Sequence, residues 1–437
     1  MLVSSALLWL GAAAGSLAAS WIVPGTVWKD TSGNTIDAHG GMVYLRGTTY
    51  YWIGQSASNA ETPYMYKSTD LLNWTPLGAQ ASIQYMWRPK IAKPNGSFWI
   101  YGQVNRLVQP LVSTQMEGGY ATKGAAVNVP PNSLTYSDTG MFQDPGDGAW
   151  YLLTSADHNT IQVNLIGSDG TLGARKNYIT SGAYEAPGMF KVGTTYFIIV
   201  SAKTGWRSNP NKMFWADGIS GSFNGPYDIA PEAENTYNSQ NTFELTITGS
   251  QATTYIYMGD SWDSTGGPSS TYIWLPMAVS TSAHTVTLQY HAMWKVDTTT
   301  GVVSVPSSKK RYEAEDAVIT GRAAVTECND CISKRSVHQI DSGSQVTFNN
   351  ITGTGEPQWI SLHYTVSNVT AGEAHIFVND QLVPTNISDM NSRAGCHKTV
   401  PVELVLKADD SNTIKFGAVG SEDFEIHFDG IEIFEDA

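Results

Sequence analysis

Two carboxylates, Asp138 and Glu185, occupy matching places in a repeated pattern, and that placement suits acid–base chemistry. The pattern is a Gly-containing turn followed by a strand rich in aromatic and β-branched residues. It occurs at Gly47 before TYYWIG, Gly96 before SFWIYG, Gly148 before AWYLLTS, Gly193 before TTYFIIVSA and Gly249 before TTYIYMGD. Counting back roughly 8–10 residues from each turn glycine reaches Asp37 or His39, Trp87 and Arg88, Asp138, Glu185 and Gln240. Cleaving a glycosidic bond takes a protonated carboxylic acid for the leaving oxygen and a second group as base or nucleophile. Like charges in a confined site raise one pKa, which keeps an acid protonated near neutral pH. Glu185 has the longer reach of the two, and Pro187 in Tyr-Glu-Ala-Pro fixes the backbone just past it.

The elements that must position these groups follow from the same repeat. A Gly turn before an alternating aromatic run is a hairpin signal. Five such hairpins, spaced roughly 45–60 residues apart, read as five small antiparallel sheets. A sheet of four short strands cannot bury both faces alone, so the sheets must pack on one another. Radial packing predicts an all-β, five-bladed β-propeller. The innermost strands of a propeller line its axis, so the five residues at the repeated position would meet in one cleft.

Composition narrows the class. The chain has 437 residues and 25 Lys+Arg against 39 Asp+Glu, a net charge of −14, which argues against a nucleic-acid partner. Charged residues are only 15%, while aromatics reach 11%, the profile of a turn-rich β protein. Flat rings also suit stacking on pyranose faces. Residues 1–20 read as a signal peptide, with an apolar stretch and small residues at Ser16, Ala18 and Ala19. No later apolar stretch is long enough to span a bilayer, so a secreted, extracellular monomer without a membrane partner is expected. Five N-x-S/T sequons, at Asn73, Asn95, Asn350, Asn368 and Asn386, agree with secretion and make a glycoprotein the expectation. Among Cys328, Cys331 and Cys396, a short-loop bridge between the first two and a bridge from Cys396 to either are both open.

The texture changes near residues 304–310, where short polar residues and Pro306 read as a linker. From residue 311 to 437, alternating strands and Gly/Asn-rich turns predict a β-sandwich.

Residues 21 to about 303 resemble glycoside hydrolase family 43, and within it the exo-β-1,3-galactanases. The stretches that carry the likeness are Ala38-His39-Gly40-Gly41, Arg88-Pro89-Lys90, Tyr184-Glu185-Ala186-Pro187, Thr204-Gly205-Trp206, Asn238-Ser239-Gln240, Tyr257-Met258-Gly259-Asp260-Ser261-Trp262 and Tyr272-Ile273-Trp274-Leu275-Pro276. The resemblance implies Glu185 as general acid, Asp138 as the carboxylate that tunes and orients it, and Gln240 in the base role. Asp37 is the rival base. It also implies an inverting reaction that releases galactose from β-1,3-galactan, with the arabinogalactan polysaccharide as partner. Further substrate contacts would come from His39, Gln55, Trp87, Asn159, Trp206, Asp260, Trp262 and Trp274. Gln55 and Trp87 depart from the family pattern, which has glutamate at both places. A β-xylosidase or α-L-arabinofuranosidase activity, or a non-catalytic glycan-binding role, are the alternatives. Residues 311–437 resemble carbohydrate-binding module family 35, a jelly-roll module. That likeness implies a structural calcium on Glu313, Glu315 and Asp429, and no cofactor for catalysis.

Overall fold

The computed structural model describes residues 19–131, 134–156, 159–329, 331–340, 343–366, 373–388, 397–417 and 426–434. Five four-stranded antiparallel sheets fill residues 39–288, each built from four consecutive strands in simple meander order. The first strand of each sheet lies innermost: β1 (His39–Arg46), β2 (Trp87–Ala92), β3 (Tyr136–Gln143), β4 (Tyr184–Val192) and β5 (Gln240–Thr248). Each of these packs beside the first strands of its two neighbours, and β5 returns to β1, so the ring closes as a β-propeller.

No blade borrows a strand from the other chain end, so closure rests on the seam between the fifth and first blades. There the Tyr272 hydroxyl accepts from Ala38 N at 2.9 Å and donates to Ile36 O at 3.0 Å. The Asp260 carboxylate accepts from Gly40 N at 2.6 Å and pairs with His39 Nδ1 at 3.1 Å. A cluster of buried tryptophans completes the seam, with Trp274 ring centroids 4.8 Å from Trp52 and 5.1 Å from Trp28. Rings of this size bury the large apolar areas that four-stranded sheets need to stay together.

The inner strands share a local device. Their pairing register slips just after the repeated position, between His39 and Met42, Trp87 and Lys90, Glu185 and Gly188, and Asn241 and Phe243. Gly40, Arg88 and Ala186 sit in the left-handed region at φ 60°, 48° and 53°. Such bulges bend a strand and re-aim the adjoining side chain, which is why they cluster beside active sites. Only glycine fits at position 40, because a Cβ there would come within 2.8 Å of the Arg88 side chain.

A second unit follows a two-stranded ribbon, Lys295–Val296 with Val303–Ser304. It has one six-stranded and one five-stranded sheet around a shared apolar core that includes Val346, Ile360, Leu362, Phe416 and Phe428. Its β6 (Lys309–Glu313) and β7 (His397–Val405) lie in the six-stranded sheet with β8 (Ile426–Phe434), and β6 pairs antiparallel with β8. Cys328 and Cys331 form a disulfide, which resolves the open pairing; Cys396 lies outside the described residues, as do Asn368 and residues 1–18. Among the described residues no helix is long and apolar enough to cross a membrane.

Candidate active site

A cavity of about 160 Å³ opens where the inner strands converge, lined by Gln55, Trp87, Arg88, Asp138, Glu185, Gly205, Trp206, Gln240 and Trp262. The four residues that begin or nearly begin β2 to β5 are all on its wall. Asp138, Glu185 and Gln240, the three predicted from the repeat, therefore share one opening.

Arg88 organises this wall. Its Nε lies 3.1 Å from Asp138 Oδ1, one terminal nitrogen donates to Gln240 Oε1, and the other donates to Asn241 O at 3.1 Å. Its own backbone N–H donates to Gln55 Oε1 at 2.8 Å, and its carbonyl accepts from Thr139 Oγ1 at 2.6 Å. Asp138 Oδ2 also accepts from Ala186 N at 2.8 Å, which ties the third blade to the bulge that carries Glu185. Sequence reasoning reached Arg88 by counting but gave it no role. The available signal was a charged residue at the second position of its strand, on the repeated place.

Gln240 is held on three sides. Its Oε1 accepts from Arg88 and from Trp262 Nε1 at 2.9 Å, and its Nε2 donates to Glu185 Oε1 at 3.0 Å. Arg and Trp side chains only donate, so the amide can face them only through its oxygen. Burial, and then the neighbouring Asp138 charge, push the Glu185 carboxyl up to about 7, against the opposing pull of Arg88 and Lys203. The cavity thus holds a carboxylic acid that keeps its proton close to neutrality.

Three indoles form the rest of the wall. The Trp87 and Trp206 ring centroids are 6.0 Å apart, and those of Trp206 and Trp262 are 5.0 Å apart. The backbone of Gly266 lies against the Trp206 indole, where a Cβ would approach to 2.5 Å. One face of Trp206 is therefore covered by that loop.

Five predicted contacts fall elsewhere. Asp37 is off the wall because its carboxylate accepts from Ser56 Oγ at 2.8 Å, Ala57 N at 2.8 Å and Ser58 N at 3.0 Å, which ties down the turn at 56–58. His39 and Asp260 bond each other in the seam, and His39 stacks on Tyr272 at 4.8 Å. Trp274 is a core residue of that same seam, only 1% exposed. Asn159 is exposed beyond the end of a third-blade strand and is not on the cavity wall.

Of the three residues expected to hold calcium, Glu313 and Asp429 are engaged by Arg311, and Glu315 keeps a buried carboxylate oxygen without a hydrogen-bond partner. Arg311 donates from Nε and a terminal nitrogen to Glu313 at 2.8 and 2.9 Å, and to Asp429 Oδ2 at 2.8 Å. A guanidinium therefore stands where a cation would bridge the two chain ends. Among the described residues no group of three His, Cys, Asp or Glu side chains could hold a metal ion.

Comparison with known proteins agrees with this geometry. Residues 37–262 match the family described as glycosyl hydrolases family 43. No curated protein matches the chain. The chain is similar to the exo-β-1,3-galactanase of Phanerochaete chrysosporium, solved with β-1,3-galactotriose, at 28% identity and a TM-score of 0.86, over 95% of this chain and 100% of that one. The same enzyme solved with galactose gives a TM-score of 0.85 at 28% identity, with the same coverage of both chains. An exo-β-1,3-galactanase from Clostridium thermocellum shares the fold at 23% identity and a TM-score of 0.60, over 87% of this chain and all of that one.

Proposed function

The chain belongs to glycosyl hydrolases family 43 and is a glycosidase, and from that premise we propose that it is a secreted exo-β-1,3-galactanase. It removes terminal galactose from β-1,3-galactan with inversion. Its five sheets are the blades of a five-bladed propeller, and its second unit is a carbohydrate-binding β-sandwich that holds the enzyme on the polymer. One observation carries the reading: Glu185, with its carboxyl raised to about 7, shares a small cavity with Asp138 and Gln240.

The roles follow from the contacts. Glu185 gives its proton to the leaving oxygen. Asp138 keeps that proton in place as a nearby negative charge, and is itself fixed by Arg88 and by Ala186 N. Gln240 orients the acid through Nε2, while in an inverting reaction the attacking water enters on the opposite face of the sugar ring. A cavity of about 160 Å³ is well below the roughly 300–1,000 Å³ of a site for a drug-sized ligand. It suits one terminal ring, which supports exo action. The relatives solved with β-1,3-galactotriose and galactose support the sugar.

The test is incubation of the purified protein with debranched β-1,3-galactan. Free galactose, first seen as the α anomer by NMR, is the expected product. Galactose released first as the β anomer would overturn inversion. A second reading, another exo-glycosidase activity, rests on Trp87 and Gln55. Gln55 lines the cavity with its Oε1 already engaged by Arg88 N, and Trp87 adds an indole where a glutamate would offer an acceptor. Release of xylose or arabinose from xylo- or arabino-oligosaccharides, with no galactose from the galactan, would establish it.

A further inference from the structure

Gln240 is preceded by a turn that L-amino acids rarely form. Asn235, Thr236, Tyr237 and Asn238 all lie in the left-handed region, at φ 50°, 51°, 53° and 60°, before Ser239 returns to extended backbone. Non-glycine residues visit this region singly, at a cost of about 1–2 kcal/mol each. Thr236 is β-branched, for which the conformation is a true outlier. A run of four persists only where the surroundings over-determine it, and such strain gathers at functional sites.

The surroundings here are specific. Thr236 Oγ1 accepts from Asn211 N at 2.7 Å and donates to Asn209 O at 3.2 Å. Asn235 Nδ2 donates to Ser208 Oγ at 2.6 Å, and Ser239 Oγ donates to Thr236 O at 2.6 Å. The Asn211 side chain then brackets Gln240: its Nδ2 donates to Ser239 O at 3.1 Å and its Oδ1 accepts from Asn241 N at 2.9 Å. On the far side, the Tyr237 ring packs 4.9 Å from Tyr290, and both line a cavity of about 460 Å³ shared with Thr399 and His363 of the second unit. Strand β7 of that unit lies against the turn.

We propose that the left-handed turn 235–238, clamped by Thr236 and Asn211 and backed by the second unit at Tyr237, is the positioning element that fixes Gln240 against Glu185. The second unit thereby contributes to turnover itself, besides any hold on polymer. Thr236, Asn211 and Tyr237 are positioning residues: none is on the catalytic wall, and each acts through the backbone of Gln240. The inference rests on the proposed reading of that cavity as the catalytic site.

The test uses the full chain and a short soluble aryl β-galactoside, which needs no attachment to polymer. Thr236→Ala should lower kcat about 10- to 100-fold with KM within about threefold, because binding on the three indoles is untouched while the amide drifts. Thr236→Ser keeps the hydroxyl and should restore most of the rate. Tyr237→Ala should lower kcat on the same short substrate about 5- to 20-fold. Full rate in Thr236→Ala, or equal loss in Thr236→Ala and Thr236→Ser, overturns the clamp. A Tyr237→Ala loss confined to polymeric galactan overturns the contribution of the second unit. If Thr236→Ala does not fold, Thr236→Val, which keeps the β-branched shape and removes only the hydroxyl, takes its place, and unchanged kcat there is equally fatal. Glu185→Gln, assayed in parallel, separates the cases: activity retained in that variant would refute the catalytic reading, whatever the turn variants do.

Discussion

Two corners of this chain set an arginine among carboxylates, with opposite results. In the propeller cavity Arg88 directs its donors to Asp138, Gln240 and the Asn241 carbonyl. Glu185 bonds the neutral amide of Gln240 instead, and burial beside Asp138 lifts it to about 7. In the second unit Arg311 grips Glu313 and Asp429 directly, and its other terminal nitrogen lies 3.9 Å from Glu432. Burial raises Glu432 too, but hydrogen bonds from His363 and Lys309 outweigh it and bring that carboxyl to about 2. Equal ingredients give a carboxyl that keeps its proton near neutrality in one place and a staple in the other. What differs is the donor each carboxyl accepts from: a neutral amide at Glu185 and the Lys309 ammonium at Glu432.

The hardest way to break this contrast is to remove the proton donor. Glu185→Gln should lower kcat about 10²- to 10⁴-fold on any substrate with a poor leaving group. In the native enzyme the rate should fall as pH rises through about 7, the range to which Glu185 is pushed, because the acid form is being lost. Stability carries the same sign. A carboxyl whose folded pKa is raised stabilises the fold below its ordinary pKa and loses that contribution as pH rises from about 4.5 to 7. Thermal unfolding should therefore find Glu185→Gln more stable than the native chain at pH 8, and no different at pH 4.

The staple is the next target. Arg311→Met leaves Glu313 and Asp429 facing each other, and should cost about 3 kcal/mol, the lower end for breaking a buried ion pair. Chelator should leave the melting temperature of the native chain unchanged, since a guanidinium already neutralises the corner. A drop that calcium restores would mean that the carboxylates abandon Arg311 for the ion. Glu432 runs opposite to Glu185: its contribution is present above its ordinary pKa and is lost as pH falls from about 4.5 toward 2. Acid unfolding should therefore be steepened by Glu432, and Lys309→Met should shift it to higher pH.

Much of this was legible in the residues. Asp138, Glu185, Gln240 and Trp87 share one place in a repeat, and a repeat in a propeller maps to one radius and one height, so their convergence needed no coordinates. His39, Asp260 and Trp274 lie off the wall because they belong to the seam, and Asp37 because it ties down the turn at 56–58. Contacts such as Asp260 to Gly40 join residues 220 positions apart, and no local period encodes them. The bulges were hidden for another reason: Arg88 and Ala186 adopt left-handed backbone without being glycine, so composition gave no sign. In the second unit the meeting of Glu313 with Asp429 was readable from motifs at both chain ends. Spacing could not reveal that Arg311, two residues before Glu313, would take the central place.

A subtler change sharpens the propeller side. Asp138→Asn removes the like charge beside Glu185, which is the second cause of its raised pKa after burial. The alkaline fall in rate should begin about one pH unit lower, with roughly fivefold less activity at pH 7. A fall that stays in place would mean that burial alone sets the acid.

The smallest effect is expected at Asp37. Its carboxylate is engaged by Ser56, Ala57 and Ser58, three neighbours on one turn, and it is not on the cavity wall. A base must reach the proton it takes, at roughly 2.6–3.2 Å or through one water. Asn at this position keeps one acceptor oxygen and should hold the turn loosely, so Asp37→Asn should lower kcat by about two- to fivefold. The pH–rate profile should keep its shape, because no group that titrates during turnover has been removed. If Asp37 were the base instead, the same substitution would cost about 10²- to 10⁴-fold and erase the acidic limb of the profile. The two outcomes differ by more than an order of magnitude, so a single pH series on this variant decides whether Asp37 supplies chemistry or only ties down the turn at 56–58.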